Sequence, residues 1–290
     1  MRRSSEEPVS VIGTEVAGWN LALAAARGAA HEQAGRPMQD RGLWRAADGP
    51  SGRCLVVALA DGHGHARHPR SASGAQFAVE TFCDVAAEAI GGRRGESPDA
   101  EVSQPPEVDW MIPQIVDRWR AAIALDVAAH PLGEGALGVA AGIDPATSAY
   151  GTTLIGALVM PSWVTFLQIG DGDVIVVDAD GTSHQPVPSD ASLALDYTAS
   201  LCQLDAVASF RSARVDLTAS DVRWMLLATD GFANAQSDPA WHNRIGTDLQ
   251  DLVVRRGDDW PANELHSWVA QCASSEGSRD DVTVALLRRT

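Results

Sequence analysis

The strand-like segments of this chain come in groups, with helical segments between the groups rather than after every strand. That order constrains the fold most tightly. A doubly wound parallel sheet needs a crossover helix after nearly every strand, whereas grouped strands pair antiparallel with their neighbours. Residues 20–26 (NLALAAA) read as a strand, and residues 55–60 (LVVALA) as a short buried strand ended by Asp61-Gly62. Between 74 and 90, Ala75, Ala78, Phe82, Val85 and Ala89 recur every three or four positions, which predicts an amphipathic helix. A second helix is predicted over 113–129, with Val116, Trp119, Ile123 and Val127 as its buried face. Residues 152–160, 163–169 and 174–177 are strand-like, separated by Pro161-Ser162 and by Gly170-Asp171-Gly172-Asp173, and read as an antiparallel meander. Residues 223–228 (RWMLLA) form a further strand ended by Asp230-Gly231. Helices near 241–255 and 261–274 and a closing strand over 282–287 complete an α+β pattern with antiparallel sheets.

The chain has 290 residues, no internal repeat and 45% hydrophobic residues, enough for a sizeable core. One domain over 11–290 is expected after a loose tail at 1–10, with 91–107 (GGRRGESPDAEVSQPPE) as a surface loop. The net charge of −16 argues against a nucleic acid or a membrane surface as partner. No run approaches the roughly 20 apolar residues of a membrane span, and no signal-peptide stretch follows the N-terminal arginines. A cytoplasmic monomer is the expectation. Cys54, Cys83, Cys202 and Cys272 lie far apart and form no CxxC motif, so reduced, buried thiols are expected.

Four short segments place an aspartate at the edge of a predicted strand: Met38-Gln39-Asp40, Asp61-Gly62-His63-Gly64, Thr229-Asp230-Gly231 and Arg279-Asp280-Asp281. Hard cations such as Mg²⁺ and Mn²⁺ prefer carboxylate and carbonyl oxygen. Strand ends hold such groups rigidly, and a following glycine lets the backbone approach an ion. Each Asp-Gly taken alone is also an ordinary turn pair. Asp171-Gly172 and Asp180-Gly181 are read that way, as hairpin turns of the meander.

In order, GRPMQD, VVALADGHG, YGTTL, LQIGDGD, LLATDGF and GSRDDVTV resemble the successive motifs of the metal-dependent (type 2C, PPM) serine/threonine protein phosphatases, over about residues 22–288. The resemblance implies a central sandwich of two antiparallel β-sheets flanked by α-helices, with two Mn²⁺ or Mg²⁺ ions in a cleft at one end. Carried over by position, it implies that Asp61 bridges the two ions and Gly62 lends its carbonyl. Asp230 and Asp280 complete the first ion's ligands, and Asp40 acts nearby, largely through water. It makes His63 the candidate general acid and Arg36 a candidate phosphate contact, and it casts Tyr150-Gly151-Thr152-Thr153 and the Gly170-Asp171 turn as structural motifs. The implied substrate is a phosphorylated protein, a Ser/Thr kinase or its targets.

The chain departs from the family pattern in places. Gln39 stands where many members carry a glutamate ligand, Asn234 where an additional aspartate is common, and Ser148 where an aspartate for a third metal is expected, with Asp144 nearby. Arg36 lies four rather than five residues before Asp40. In His63-Gly64-His65-Ala66-Arg67-His68-Pro69-Arg70, either Arg67 or Arg70 is a candidate to supplement Arg36, against a zinc cluster or a solvated basic loop. The 91–107 and 185–210 regions are the expected places for specificity. A non-catalytic phosphoprotein-binding relative and a hydrolase of small phosphoesters stand as the alternative functions.

Overall fold

The computed structural model describes residues 10–50, 52–92, 108–133, 145–190 and 198–290. Most of the expected tail and surface loop, Asp144 and part of the 185–210 region lie outside these residues. The chain begins with β1 (Ser10–Val16), β2 (Trp19–Ala26), α1 (Ala29–Gln33), β3 (Arg41–Gly49), β4 (Gly52–Ala60) and α2 (Ser71–Gly91). It continues through α3 (Val108–Ala129), α4 (Pro145–Ala149), β5 (Leu154–Val159), β6 (Trp163–Ile169), β7 (Asp173–Asp178) and β8 (Ser183–His184). After α5 (Ala206–Ser209), β9 (Arg211–Asp216), β10 (Val222–Ala228) and α6 (Asp230–Asn234), two longer helices, α7 (Ile245–Arg256) and α8 (Trp260–Cys272), lead to β11 (Val282–Arg289).

The strands form two antiparallel sheets, ordered β1-β2-β11-β10-β7-β8 and β3-β4-β5-β6-β9. They pack face to face. Leu55, Val57 and Leu59 of β4 meet Leu21, Leu23, Met225, Leu227 and Leu287 of the other sheet in one apolar layer. The alternate β4 residues Cys54, Val56 and Ala58 turn outward against Phe82 of α2 and Trp119 of α3. On the opposite side Trp224 and Leu226 of β10 and Leu286 of β11 pack against Leu249, Leu265 and Val269 of α7 and α8. Both faces of the central strands are covered, which is why β4 and β10 read as continuous apolar runs rather than alternating ones. Burying one such Leu or Val contributes about 1.5–3 kcal/mol. The architecture is the expected α-β-β-α sandwich.

The meander is not continuous. β5 pairs with β6, but β6 turns next to β9, and β7 pairs with β10 and β8 in the other sheet. The Gly170-Asp171-Gly172 segment is therefore a crossover between sheets and not a hairpin. Gly170 takes φ +109°, a conformation that side-chain-bearing residues avoid. The Gln168 amide donates to the Gly170 and Gly172 carbonyls and the Arg211 guanidinium to that of Gly170, which braces the crossover. Asp180-Gly181 is the hairpin turn it was read as: the Gly181 N–H donates to Asp178 O at 3.0 Å. Helix boundaries also move. α3 starts at Val108 rather than 113, with Pro113 inside it, and the segment read as a helix from 241 opens with a 3-10 turn, Trp241–Asn243, before α7. All four cysteines are buried free thiols.

Candidate metal centre

The register of the sheets decides which residues meet. Ala228 at the end of β10 lies opposite Asp173 at the start of β7 and Val284 near the start of β11. The residues just beyond these strand ends, together with Asp61 beyond β4, therefore collect at one end of the sandwich. They line a cleft of about 370 Å³ together with several histidines and one arginine. Asp61, Asp171, Asp230 and Asp280 are its acidic lining, and His31, His63, His65, Arg67 and His68 its nitrogen-bearing lining. A larger groove of about 560 Å³, lined by Val108, Asp109, Thr165, Ser212, Ala213 and Arg214, holds none of these aspartates. Chemistry rather than volume marks the site.

Each aspartate is set by its local structure. The Asp61 peptide is pinned by the two threonines that precede β5. Thr152 Oγ1 and the Thr153 N–H donate to Asp61 O at 2.8 and 2.9 Å, and the Asp61 N–H donates to Thr153 Oγ1 at 3.1 Å. This gives the YGTTL segment a concrete structural role. Gly62 follows in a cradle where a Cβ would lie 2.8 Å from Gln39 O and from the Ser71 backbone, so a larger residue cannot follow Asp61. Asp230 opens α6. Asn234, one turn later, donates to its Oδ2 at 3.1 Å, while its Oδ1 is buried with no hydrogen-bond partner.

Asp280 and Asp281 are neighbours with opposite fates. The preceding Arg279 adopts φ +68°, unusual for a residue with a side chain. Asp281 turns inward, its side chain 2% exposed, and accepts from the Gly28 N–H at 2.7 Å and the Gln39 N–H at 2.6 Å, with His31 Nδ1 at 2.9 Å. Asp280 faces the cleft with its side chain 51% exposed. Asp40 does not line the cleft. It is buried behind the floor, where Thr229 Oγ1 donates to its Oδ2 at 2.7 Å.

Electrostatics follow from this crowding. Burial, and then the neighbouring carboxylates, push Asp40 and Asp61 well above the usual carboxylate range: Asp281 acts on Asp40, and Asp40 and Asp230 act on Asp61. Asp230 is raised by burial and Asp171, and Asp173 is pushed up to about 6 by burial and Asp230. The charge of Asp230 raises Asp61, and Asp171 acts on both. Buried carboxylates crowded in this way do not all carry full charge unless a cation lies with them. The nearest buried arginine contacts do not supply one, because Arg41 Nη1 donates to the carbonyls of Met38 and Asp40.

These residues suit hard divalent cations: all donors are oxygen, one buried carboxylate oxygen is orphaned, and among the described residues no arginine forms an ion pair with Asp61, Asp230 or Asp280. Among the described residues no three His, Cys, Asp or Glu side chains already form a closed cage for one ion. Ligation would need main-chain carbonyl and water as well, as Mg²⁺ commonly does. Asp61, Gly62, Asp171, Asp230 and Asp280 all line the cleft.

The remaining predicted residues are placed as follows. His63 lines the cleft with Nε2 2.8 Å from Ser200 Oγ, and burial, with His68 beside it, lowers its pKa to about 4. Arg36 is exposed, and its Nη1 donates to Gly64 O at 3.1 Å. Arg70 is committed away from the cleft, to Tyr150 Oη at 2.7 Å, Asp126 at 3.3 Å and Pro131 O at 3.2 Å. The imidazoles of His63, His65 and His68 meet only edge to face, at 5.0 and 6.4 Å, and form no zinc cluster. Gln39 sends its amide nitrogen to Ser71 Oγ and leaves its Oε1 buried and unpartnered. Sequence reasoning missed Asp171, assigned to a turn, and gave no role to Asp281, His31 or Thr229. The doubled aspartate of GDGD was the one available signal, since a hairpin turn needs only one.

Fold and cleft together define a class: an α-β-β-α sandwich with an acidic, cation-seeking cleft at one end. Within that class, the family model described as Protein phosphatase 2C matches residues 27–270, and the chain belongs to that family. No curated protein sequence matches it significantly. Its structure is similar to that of a bacterial serine phosphatase (17% identity, TM-score 0.58, covering 93% of this chain and 97% of that one). It is also similar to serine/threonine phosphatase Stp1 from Staphylococcus aureus (16%, 0.59, 98% and 98%) and to serine-threonine phosphatase 2C from Toxoplasma gondii (13%, 0.61, 98% and 99%). At these identities the likeness is one of fold. No helix among the described residues is long and apolar enough to cross a membrane.

Proposed function

We propose that this chain hydrolyses phosphoserine and phosphothreonine in proteins, opposing a Ser/Thr kinase, with two Mn²⁺ or Mg²⁺ ions held in the acidic cleft. The observation that carries the reading is the gathering of Asp61, Asp171 and Asp230 in one cleft, beside a buried Asp230 Oδ1 without a partner among the described residues. When bound, the ions supply a water of lowered pKa for in-line attack on phosphorus and offset charge on the phosphoryl oxygens. Asp61, Asp230, Asp280 and the Gly62 carbonyl hold them, and Asp40 acts from behind through its charge on Asp61. No phosphoenzyme is required, which agrees with four buried thiols whose pKa values burial raises or which lie away from the cleft.

His63, which lines the cleft, would give a proton to the departing alkoxide. Its low pKa means the phosphoryl dianion must provide the counter-charge that keeps it protonated. Turnover with Mn²⁺ or Mg²⁺ on p-nitrophenyl phosphate and on phosphoserine and phosphothreonine peptides, beside Asp61→Asn, tests the proposal. Metal-stimulated peptide hydrolysis, lost by at least about 100-fold in Asp61→Asn, is expected, since even outer partners of a ligand cost about 10–100-fold. Gln39, turned toward Ser71, favours one rival reading, a relative that binds phosphoprotein without cleaving it. Absence of metal-stimulated turnover on every substrate would decide for that rival. Turnover of small esters alone would make it a different hydrolase.

A further inference from the structure

The sequence contains no lysine, so arginine supplies every side-chain cation that stays charged at all working pH values. Among the described residues Arg67 is the one arginine that lines the cleft. The others near it each donate to protein oxygens. Arg36 Nη1 donates to Gly64 O, and Arg41 Nη1 to the carbonyls of Met38 and Asp40. Arg70 uses both terminal nitrogens, on Tyr150, Asp126 and Pro131.

Arg67 differs. Its backbone N–H and its Nε both donate to His65 Nδ1, at 3.1 and 3.4 Å. Its two terminal nitrogens reach no protein oxygen among the described residues. The Nε contact sets the plane of the guanidinium and leaves the Nη1/Nη2 edge free, the edge that meets a phosphate with two parallel N–H···O bonds. The histidines around it are held by the fold: His63 Nε2 lies on Ser200 Oγ, and His68 Nδ1 on the Ser148 carbonyl. A phosphoryl dianion entering a cleft that four carboxylates line needs a fixed cation among the lining residues. From this geometry we infer that Arg67, positioned by His65, grips the phosphoryl oxygens of the substrate, in the place first sought for Arg36.

The inference rests on the phosphatase reading for its substrate, and its test keeps the two apart. With the full chain loaded with Mg²⁺, Arg67→Ala raises the KM for a phosphothreonine peptide about 10-fold with kcat changed far less, the pattern of lost uniform binding. Arg67→Lys recovers part of the loss, because charge returns without the fork. Arg36→Ala raises KM less than Arg67→Ala does. A calorimetric titration of the same proteins with inorganic phosphate gives a readout independent of turnover, and phosphate affinity falls about 10-fold in Arg67→Ala. If wild type hydrolyses nothing, the phosphatase reading fails while this titration still judges Arg67. The inference is overturned if phosphate affinity in Arg67→Ala stays within twofold of wild type, if Arg36→Ala causes the larger loss, or if the wild-type protein binds no phosphate.

Discussion

β7 carries an Asp-Gly pair just outside each of its ends, and the two pairs do opposite things. Asp180-Gly181 sits in a solvent-facing hairpin, where the Thr182 N–H donates to Asp180 Oδ1 at 2.8 Å and holds that carboxyl below its usual range. Asp171-Gly172 crosses between sheets and turns Asp171 into the cleft, where its charge acts on Asp230. The dipeptide is the same. What differs is whether the chain returns to the strand it left or moves to another sheet. One end of the strand satisfies its carboxylate locally, and the other leaves carboxylates that only a partner from outside can satisfy.

Substitution should break this comparison most visibly. Asp171→Asn is expected to weaken Mn²⁺ binding by about 10–100-fold, the scale for groups that support a metal's ligands. Asp180→Asn should leave Mn²⁺ affinity unchanged in the same calorimetric titration. Unchanged affinity in both variants would show that Asp171 is a turn residue like its counterpart.

Chelation should act at one end only. Removing metal from protein saturated at 100 times its Kd costs about 2.7 kcal/mol, or roughly 5–10 °C in Tm for a chain of this size. Hydrogen exchange after chelation should rise in the residues around Asp61, Asp171 and Asp230 and stay constant at the β7–β8 hairpin. Uniform loosening would contradict the division.

Acid gives a smaller effect, with opposite signs at the two ends. In the metal-free protein Asp173 has its pKa raised from 3.8 to about 6. As pH rises through that interval the unfolded chain gives up its proton and the folded chain does not, so stability falls, and the deficit is complete above about 6. Asp180, whose folded pKa is depressed, contributes stability above its ordinary range and loses it as pH falls. Asp173→Asn should therefore flatten the pH dependence of Tm in the upper interval. A profile identical to wild type there would refute the assignment.

Much of the fold was legible because its central strands are buried on both faces. β4 and β10 read as apolar runs for that reason. β3 and β9 were not read as strands. Their sequences, RGLWRAADG and RSARVD, carry charge and only partial burial, and they are strands because they pair with β4 and β6 along their length. Pairing of that kind overrides local propensity and leaves no periodic trace. The site was legible where an aspartate follows an apolar strand, as at Asp61 and Asp230. It was illegible at Asp171, because a crossover and a hairpin use the same turn residues, and in the division of labour between Asp280 and Asp281, which depends on the φ of Arg279.

The central claim is that the Asp61, Asp171 and Asp230 carboxyls gathered in the cleft are a site for divalent cations that the bare chain leaves frustrated. Calorimetric titration of Mn²⁺ into metal-free wild type and Asp230→Asn, with the thermal stability of both metal-free proteins, tests it most directly. The account predicts at least about 10-fold weaker Mn²⁺ binding in Asp230→Asn, together with a metal-free variant more stable than metal-free wild type at neutral pH, because a buried carboxyl whose pKa is raised has been removed. Unchanged Mn²⁺ binding, or a metal-free variant less stable than wild type, would contradict it.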